Sequence, residues 1–213
     1  MTRLLAGFLL FVCSVAQAFA LNVFMAGDSH VCSKIYPKGV GRILREKNPD
    51  VDFSFYGKIG AGFYTYNESP AAMEEIFKAA PDVLIVHLGT NDSFTPRFDK
   101  AKFKSDLSAF YKAVKGRLPE CRVVFVTPFF NKLKARKKAV NRSTRLCADA
   151  MLEFARDKEG VYVVDHNAAH GMHFLKNVGR LMRRDCVHLT EQGYEVLASQ
   201  VGAAIAGIEG IWN

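Results

Sequence analysis

Leu21-Asn22-Val23-Phe24-Met25-Ala26-Gly27-Asp28-Ser29-His30 is the stretch from which the fold is read, because a short apolar run breaks abruptly into Gly-Asp-Ser-His. The run is too short for a helix and rich in β-formers, and the glycine that stops it marks the passage from strand to loop. Four further runs of the same kind follow at 51–56, 82–88, 122–127 and 161–164, so that with 22–26 the chain holds five predicted strands. Between and after them, 38–47, 71–79, 100–117, 139–158 and 191–208 carry apolar residues at helical spacing. Strands that alternate with helices must run parallel, since a parallel neighbour is reached only by a crossover whose helix buries its apolar stripe on the sheet. The expectation is an α/β fold: a flavodoxin-like three-layer α/β/α sandwich around a five-stranded parallel sheet. Sites in such sheets lie beyond the carboxyl ends of the strands. The irregular stretches 57–70, 128–138 and 165–184 are long for this fold, as loops that select a substrate often are.

The chain has 213 residues, 49% of them hydrophobic and 23% charged, which suits one domain with a sizeable core. Its first residues read differently. Met1-Thr2-Arg3 is a positive start, 4–15 is apolar, and Ala16-Gln17-Ala18 is a small-x-small cleavage site, so 1–18 is expected to be a secretory signal peptide, with Ala18-Phe19-Ala20 as a second place to cut. The remaining domain, 21–213, has no stretch apolar enough to span a membrane, and the expected location is periplasmic or secreted. Four of the five cysteines, Cys32, Cys121, Cys147 and Cys186, fall in that domain. Oxidising surroundings permit two disulfides, and a Cys32–Cys186 bridge would tie the segments around Ser29 and His188; free buried thiols are the equal alternative.

The formal charge is +8, or +7 without Arg3. Basic residues gather at Lys132, Lys134, Arg136, Lys137, Lys138, Arg142 and Arg145 and again at Arg180, Arg183 and Arg184. This favours an anionic partner or serves solubility. No nucleic-acid-binding motif accompanies it, and no nucleic acid is expected as a partner.

The chemistry-bearing residues lie just past the predicted strands. Ser29 follows the first, at or just before a helix start, where backbone N–H groups favour developing negative charge. Asn91, in Gly89-Thr90-Asn91-Asp92 after the third, can aim an amide N–H at an oxyanion, and Gly60 or Gly62, after the second, can offer a backbone N–H. Asp185-Cys186-Val187-His188 sets a carboxylate three residues before an imidazole, so that one ring nitrogen is held while the other faces Ser29. A serine hydroxyl needs such a base to become a nucleophile. Gly-x-Ser-x-Gly is absent, since Val31 occupies the second glycine's place, which disfavours an ordinary α/β-hydrolase elbow. His166, His170 and His173 lack a surrounding cysteine or carboxylate pattern and are read as loop histidines, with no metal expected. Phe63, Tyr64 and Tyr66 form either a sugar-stacking wall or part of the core.

These segments together, Gly27-Asp28-Ser29-His30, Gly57-Lys58-Ile59-Gly60-Ala61, Gly89-Thr90-Asn91-Asp92 and Asp185-Cys186-Val187-His188, resemble the blocks of the SGNH hydrolases, also called GDSL-type esterases, and the resemblance runs from Asn22 onward. It implies Ser29 as nucleophile and first oxyanion donor, Gly60 and Asn91 as the other donors, and His188 with Asp185 as base and orienting acid. The glycine block is the least specific. His30 stands where the family name has leucine, and Gly-Asp-Ser-His is similar to the serine block of SGNH domains attached to membrane O-acyltransferases. The implied protein is a secreted serine carboxylic-ester hydrolase, acetylesterase-like and free of cofactor, acting on an acylated glycan such as a cell-wall polysaccharide; glycan O-acyltransfer and lipid ester or thioester hydrolysis are the alternatives.

Overall fold

A computed structural model describes residues 21–32, 39–94, 98–129, 137–166 and 177–207. The expected signal segment 1–18, most of the first basic cluster's loop, His170 and His173 lie outside these residues.

Five parallel strands, β1 (Asn22–Gly27), β2 (Asp52–Gly57), β3 (Val83–His87), β4 (Arg122–Val126) and β5 (Val161–Val164), form one sheet in the order β2-β1-β3-β4-β5. Among the described residues the helices are α1 (Val40–Lys47), α2 (Phe63–Asn67), α3 (Pro70–Ala79), α4 (Thr90–Ser93), α5 (Lys100–Arg117), α6 (Lys137–Ala155) and, from the last helical segment, α7 (Glu191–Ala206). Alternate side chains of each strand face opposite layers. Val23, Met25, Val83, Ile85 and Val124 pack with Val40, Ile43 and Leu44 of α1 and Leu197, Val201 and Ile205 of α7. Phe24, Ala26, Leu84, Val86 and Phe125 pack on the other face with Phe63, Ile76, Phe110 and Met151, from α2, α3, α5 and α6. β3 is buried along its whole length, as a central strand covered on both sides requires. The three-layer α/β/α sandwich predicted above is therefore the fold.

The predicted strands and long helices agree with the observed ones to within a few residues at their ends. Inside the expected loop 57–70, however, α2 forms. It is one short turn without a readable period, held by burial of Phe63 and Tyr66 and by Gly62 N–H donating to Thr65 Oγ1 at 3.1 Å. Pro70, assigned to the same loop, opens α3 at a position where its missing N–H costs nothing. The sugar-wall reading fails for Phe63 and Tyr66, which are fully buried; the Tyr66 hydroxyl bonds both the amide and the carbonyl of Gly27. No Cys32–Cys186 bridge forms: Cys32, Cys121, Cys147 and Cys186 are free thiols. Burial pushes the Cys121 thiol up to about 11, the behaviour of a packed, unreactive cysteine.

The ends of β1 and β2 are shaped for close approach. Gly27 and Gly57 are in register, and the turn after β1 folds down over Gly57. A Cβ on Gly57 would strike the backbone nitrogen of Cys32 and come within 2.7 Å of the Asp28 carbonyl oxygen. Gly57→Ala is expected to destabilise the protein by about 2 kcal/mol, the range of overpacked sites, and to lift the 28–32 turn. Urea denaturation checks this, and an unchanged midpoint would show that the turn yields freely.

Candidate active site

Strand order reverses between β1 and β3. The chain leaves β1 toward β2 along one face and returns to β3 along the other, opening a crevice at their carboxyl ends where such sheets hold ligands. Ser29 lies just beyond β1 and Asn91 just beyond β3. The structure adjusts one expectation here: Ser29 stands on a turn in which the Asp28 carbonyl accepts from Val31 N–H at 3.2 Å and Cys32 N–H at 3.1 Å, and α1 begins only at Val40.

Ser29, 6% exposed, places its Oγ 3.1 Å from His188 Nε2. His188 Nδ1 lies 3.0 Å from Asp185 Oδ2. The three predicted residues thus form one hydrogen-bonded line across 159 positions of chain. The local geometry of its second half follows from Asp185, whose Oδ1 accepts the backbone N–H groups of Val187 and His188, each at 2.9 Å. This Asx-type turn bends the chain back, with Cys186 at φ 58°, and aims the imidazole at the Asp185 carboxylate. Partial burial pushes the Asp185 carboxyl up, but the hydrogen bonds from Val187, from the His188 ring and from the His188 amide outweigh it and hold the group below the usual carboxylate range. An ionised Asp185 is what a base that becomes imidazolium requires. Thr190 then caps α7 by accepting Gly193 N–H at 3.1 Å, which seats His188 two residues before the cap.

The two candidate glycines differ. Gly62 spends its N–H on Thr65, and a Cβ there would meet the Asp92 carboxylate at 2.6 Å. Gly60 is exposed, has φ +73° and nothing within 4 Å of a would-be Cβ. It faces open space with a backbone conformation suited to glycine. Asn91 Nδ2 donates to the Ala61 carbonyl at 2.9 Å and to Asp28 Oδ2 at 3.3 Å. The amide is thereby fixed between the glycine segment and the residue preceding Ser29.

Three further groups surround the line without any strong sequence signal. Asp28 is fully buried, accepts His30 N–H at 2.9 Å, and has its carboxyl raised to about 7, by burial first and against the pull of that hydrogen bond. His87, also buried, has a ring nitrogen 4.0 Å from Asp28 and is lowered to about 3 by burial and by neighbouring His166. Tyr194 meets His30 beneath Ser29. Only burial distinguishes these from ordinary motif or helix residues, and burial is a property of the assembled fold. His166, read as a loop histidine, lies 2% exposed with its ring 6.5 Å from that of His87.

Asp28 and His87 bias stability in opposite directions. Between about pH 4 and pH 7 the unfolded chain ionises Asp28 while the folded chain keeps its proton, so this contribution fades as pH rises. His87 stays neutral when folded but gains a proton when unfolded below pH 6.5, so its contribution fades as pH falls toward 3. Asp28→Asn removes the first effect alone. The melting temperature of the variant minus that of the wild type is expected to rise by at least about 3 °C from pH 4.5 to pH 7.5; a pH-independent difference in thermal melts would contradict it.

The sequence matches the model of the GDSL-like lipase/acylhydrolase family over residues 24–196. No curated protein sequence matches the chain. Among solved structures, an acetylxylan esterase from Geobacillus stearothermophilus is similar at 17% identity over 88% of this chain and 94% of its own, with a TM-score of 0.65. A lipolytic protein of the G-D-S-L family from Veillonella parvula reaches 0.69 at 18% identity over 89% and 100%. The catalytic domain of a Streptococcus pneumoniae peptidoglycan O-acetyltransferase reaches 0.60 at 20% identity over 87% and 93%. At such identities the likeness establishes the shared fold. The family match extends from β1, before Ser29, through His188 into α7, and on that ground the chain belongs to the GDSL-like lipase/acylhydrolase family.

Proposed function

We propose that this protein is a secreted or periplasmic serine esterase that removes O-acetyl groups from a carbohydrate or cell-wall polysaccharide through an acyl-enzyme on Ser29. The observation that carries the reading is the line from Ser29 Oγ to His188 at 3.1 Å and on to Asp185 at 3.0 Å. Ser29 Oγ attacks the ester carbonyl while His188 Nε2 takes its proton. The tetrahedral oxyanion is held by the N–H groups of Ser29 and Gly60 and by the Asn91 amide, which turns one N–H from its resting partner toward the new charge. His188 returns the proton to the departing sugar oxygen as the carbon–oxygen bond breaks. Water then attacks the acyl-enzyme carbonyl as His188 takes its proton; the bond to Ser29 Oγ breaks, His188 returns the proton to that oxygen, and acetic acid leaves and ionises to acetate.

The preference for acetylated sugar draws on the acetylxylan esterase and the peptidoglycan O-acetyltransferase among the similar structures, on the signal-like segment 1–18 and on the basic clusters. Gly27-Asp28-Ser29-His30 together with the acetyltransferase likeness makes transfer to a glycan hydroxyl the second reading.

Acetate release from aryl acetates, acetylated xylan and O-acetylated peptidoglycan, followed beside Ser29→Ala, His188→Ala and Asp185→Asn, tests the proposal. The two alanine variants are expected to lose at least about a thousandfold in kcat and Asp185→Asn about a hundredfold or more. Acetyl appearing on an added oligosaccharide in excess of free acetate would select transfer. Equal background release by wild type and Ser29→Ala on every ester would overturn the serine mechanism.

A further inference from the structure

Ser29 and His188 arrive from opposite ends of the chain, and proton transfer between them tolerates a misplacement of only about 0.5 Å. A second hydrogen bond crosses the same gap one layer deeper. His30 Nδ1 and Tyr194 Oη share it at 3.2 Å, linking the residue after Ser29 to the first turns of the helix that follows His188. Both side chains are buried, His30 to 0% and Tyr194 to 1% exposure. The His30 ring packs edge-on against Phe129 at 4.9 Å and lies 5.5 Å from the His188 ring. Its backbone is fixed as well, since His30 N–H donates to Asp28 Oδ1 at 2.9 Å and its carbonyl accepts Val40 N–H at 3.1 Å. The imidazole therefore has little freedom to move apart from the turn that carries Ser29.

We infer that His30 and Tyr194 are a pair of positioning residues, a buried clamp that sets the distance between the Ser29 hydroxyl and the His188 imidazole. The inference rests on the serine-esterase reading for its kinetic consequence, though the clamp itself is a matter of geometry. A leucine at position 30 would fill similar space yet leave the Tyr194 hydroxyl without this partner. Histidine also suits the location because it is neutral there: burial, then His87 and His188, hold it well below its ordinary range. No second positive charge thus forms beside His188 when that ring becomes imidazolium.

The test combines Tyr194→Phe, His30→Leu, their double variant and His30→Asn, whose amide can present a polar group near the place of Nδ1. Two readouts of the full mature protein are kinetic: kcat and KM on 4-nitrophenyl acetate, and the second-order rate at which a fluorophosphonate labels Ser29, which reads nucleophile activation whatever the natural substrate. Tyr194→Phe and His30→Leu are each expected to lower kcat and the labelling rate about tenfold, equivalent to about 1.4 kcal/mol in the barrier, with KM changed less than about twofold. The double variant should be no slower than the worse single one, because both remove the same interaction. His30→Asn should recover most of the loss. Multiplicative losses in the double variant, Tyr194→Phe within twofold of wild type, or rates that simply follow melting temperature would each overturn the clamp. If the wild type neither hydrolyses an ester nor takes the label, the esterase reading falls, and the clamp is judged by the imidazole NMR signals of His188: displaced in Tyr194→Phe it stands, unchanged it fails.

Discussion

The constraint on which the structure depends is that β1 has a neighbour on each side reached by a different route. Its partner β2 follows through α1, which packs with α7 on one face, and β3 returns through α2 and α3 on the other. Chain therefore departs from the carboxyl ends of β1 and β3 in opposite directions, and a crevice is left between them. The turn at 28–32 fills its floor only because Gly57 carries no side chain in its path. Tyr66, a core residue of the opposite layer, reaches across to satisfy both backbone groups of Gly27, so the end of β1 is locked before the turn begins. The placement of Ser29 is in this sense a consequence of sheet topology and close packing.

Beneath Ser29 burial displaces the ionisation of the polar groups. Asp28 is raised to about 7, His87 is lowered to about 3, and His30 is held neutral, in each case with burial as the leading cause. Asp185 and His188 sit instead at the rim, where their side chains are 43% and 25% exposed. This division has a physical logic. An ion in the interior would be costly unless paired, whereas a carboxylate at the rim with three hydrogen bonds stays ionised at little cost. Neutral His30, hydrogen-bonded to Tyr194, can hold its position without placing a charge beside the His188 ring.

Much of this was legible in the chain. The five strands announced themselves as short apolar runs rich in β-formers, and the residues beyond them were candidates because loops at that edge carry sites. The different surroundings of Gly60 and Gly62 come only with the structure, through a Thr65 hydroxyl and an Asp92 carboxylate that no spacing rule connects to the glycines. The aromatic trio stayed undivided between wall and core for a related reason: Phe63 and Tyr66, which the structure places in the core, lie on a helix of five residues, too short for periodicity to show which side is inward. The cysteines near Ser29 and His188 suggested a bridge from sequence neighbourhood alone, yet Cys32 is buried in the turn and Cys186 adopts φ 58° in a separate one. Tyr194 carried no readable signal, because its importance lies in a contact 164 residues away.

That distance bears on what maintains the site. The loop of Ser29 leads into α1 and the loop of His188 into α7, and these two helices lie side by side, with Val40, Ile43 and Leu44 in the same apolar cluster as Leu197, Val201 and Ile205. Lys47 adds an ion pair to Glu195 at 2.9 Å, but both groups are nearly half exposed and such a pair contributes little, about 1 kcal/mol at most. The apolar contact stabilises the pair of helices more, since even one buried aliphatic side chain is worth about 1.5–3 kcal/mol. Packing between α1 and α7 therefore decides whether Ser29 and His188 meet, while the hydrogen bonds nearer the crevice decide how closely. Loss of packing at Leu44 or Leu197 would act on the chemistry from well outside the site, by letting one helix, and the residue it carries, slide against the other.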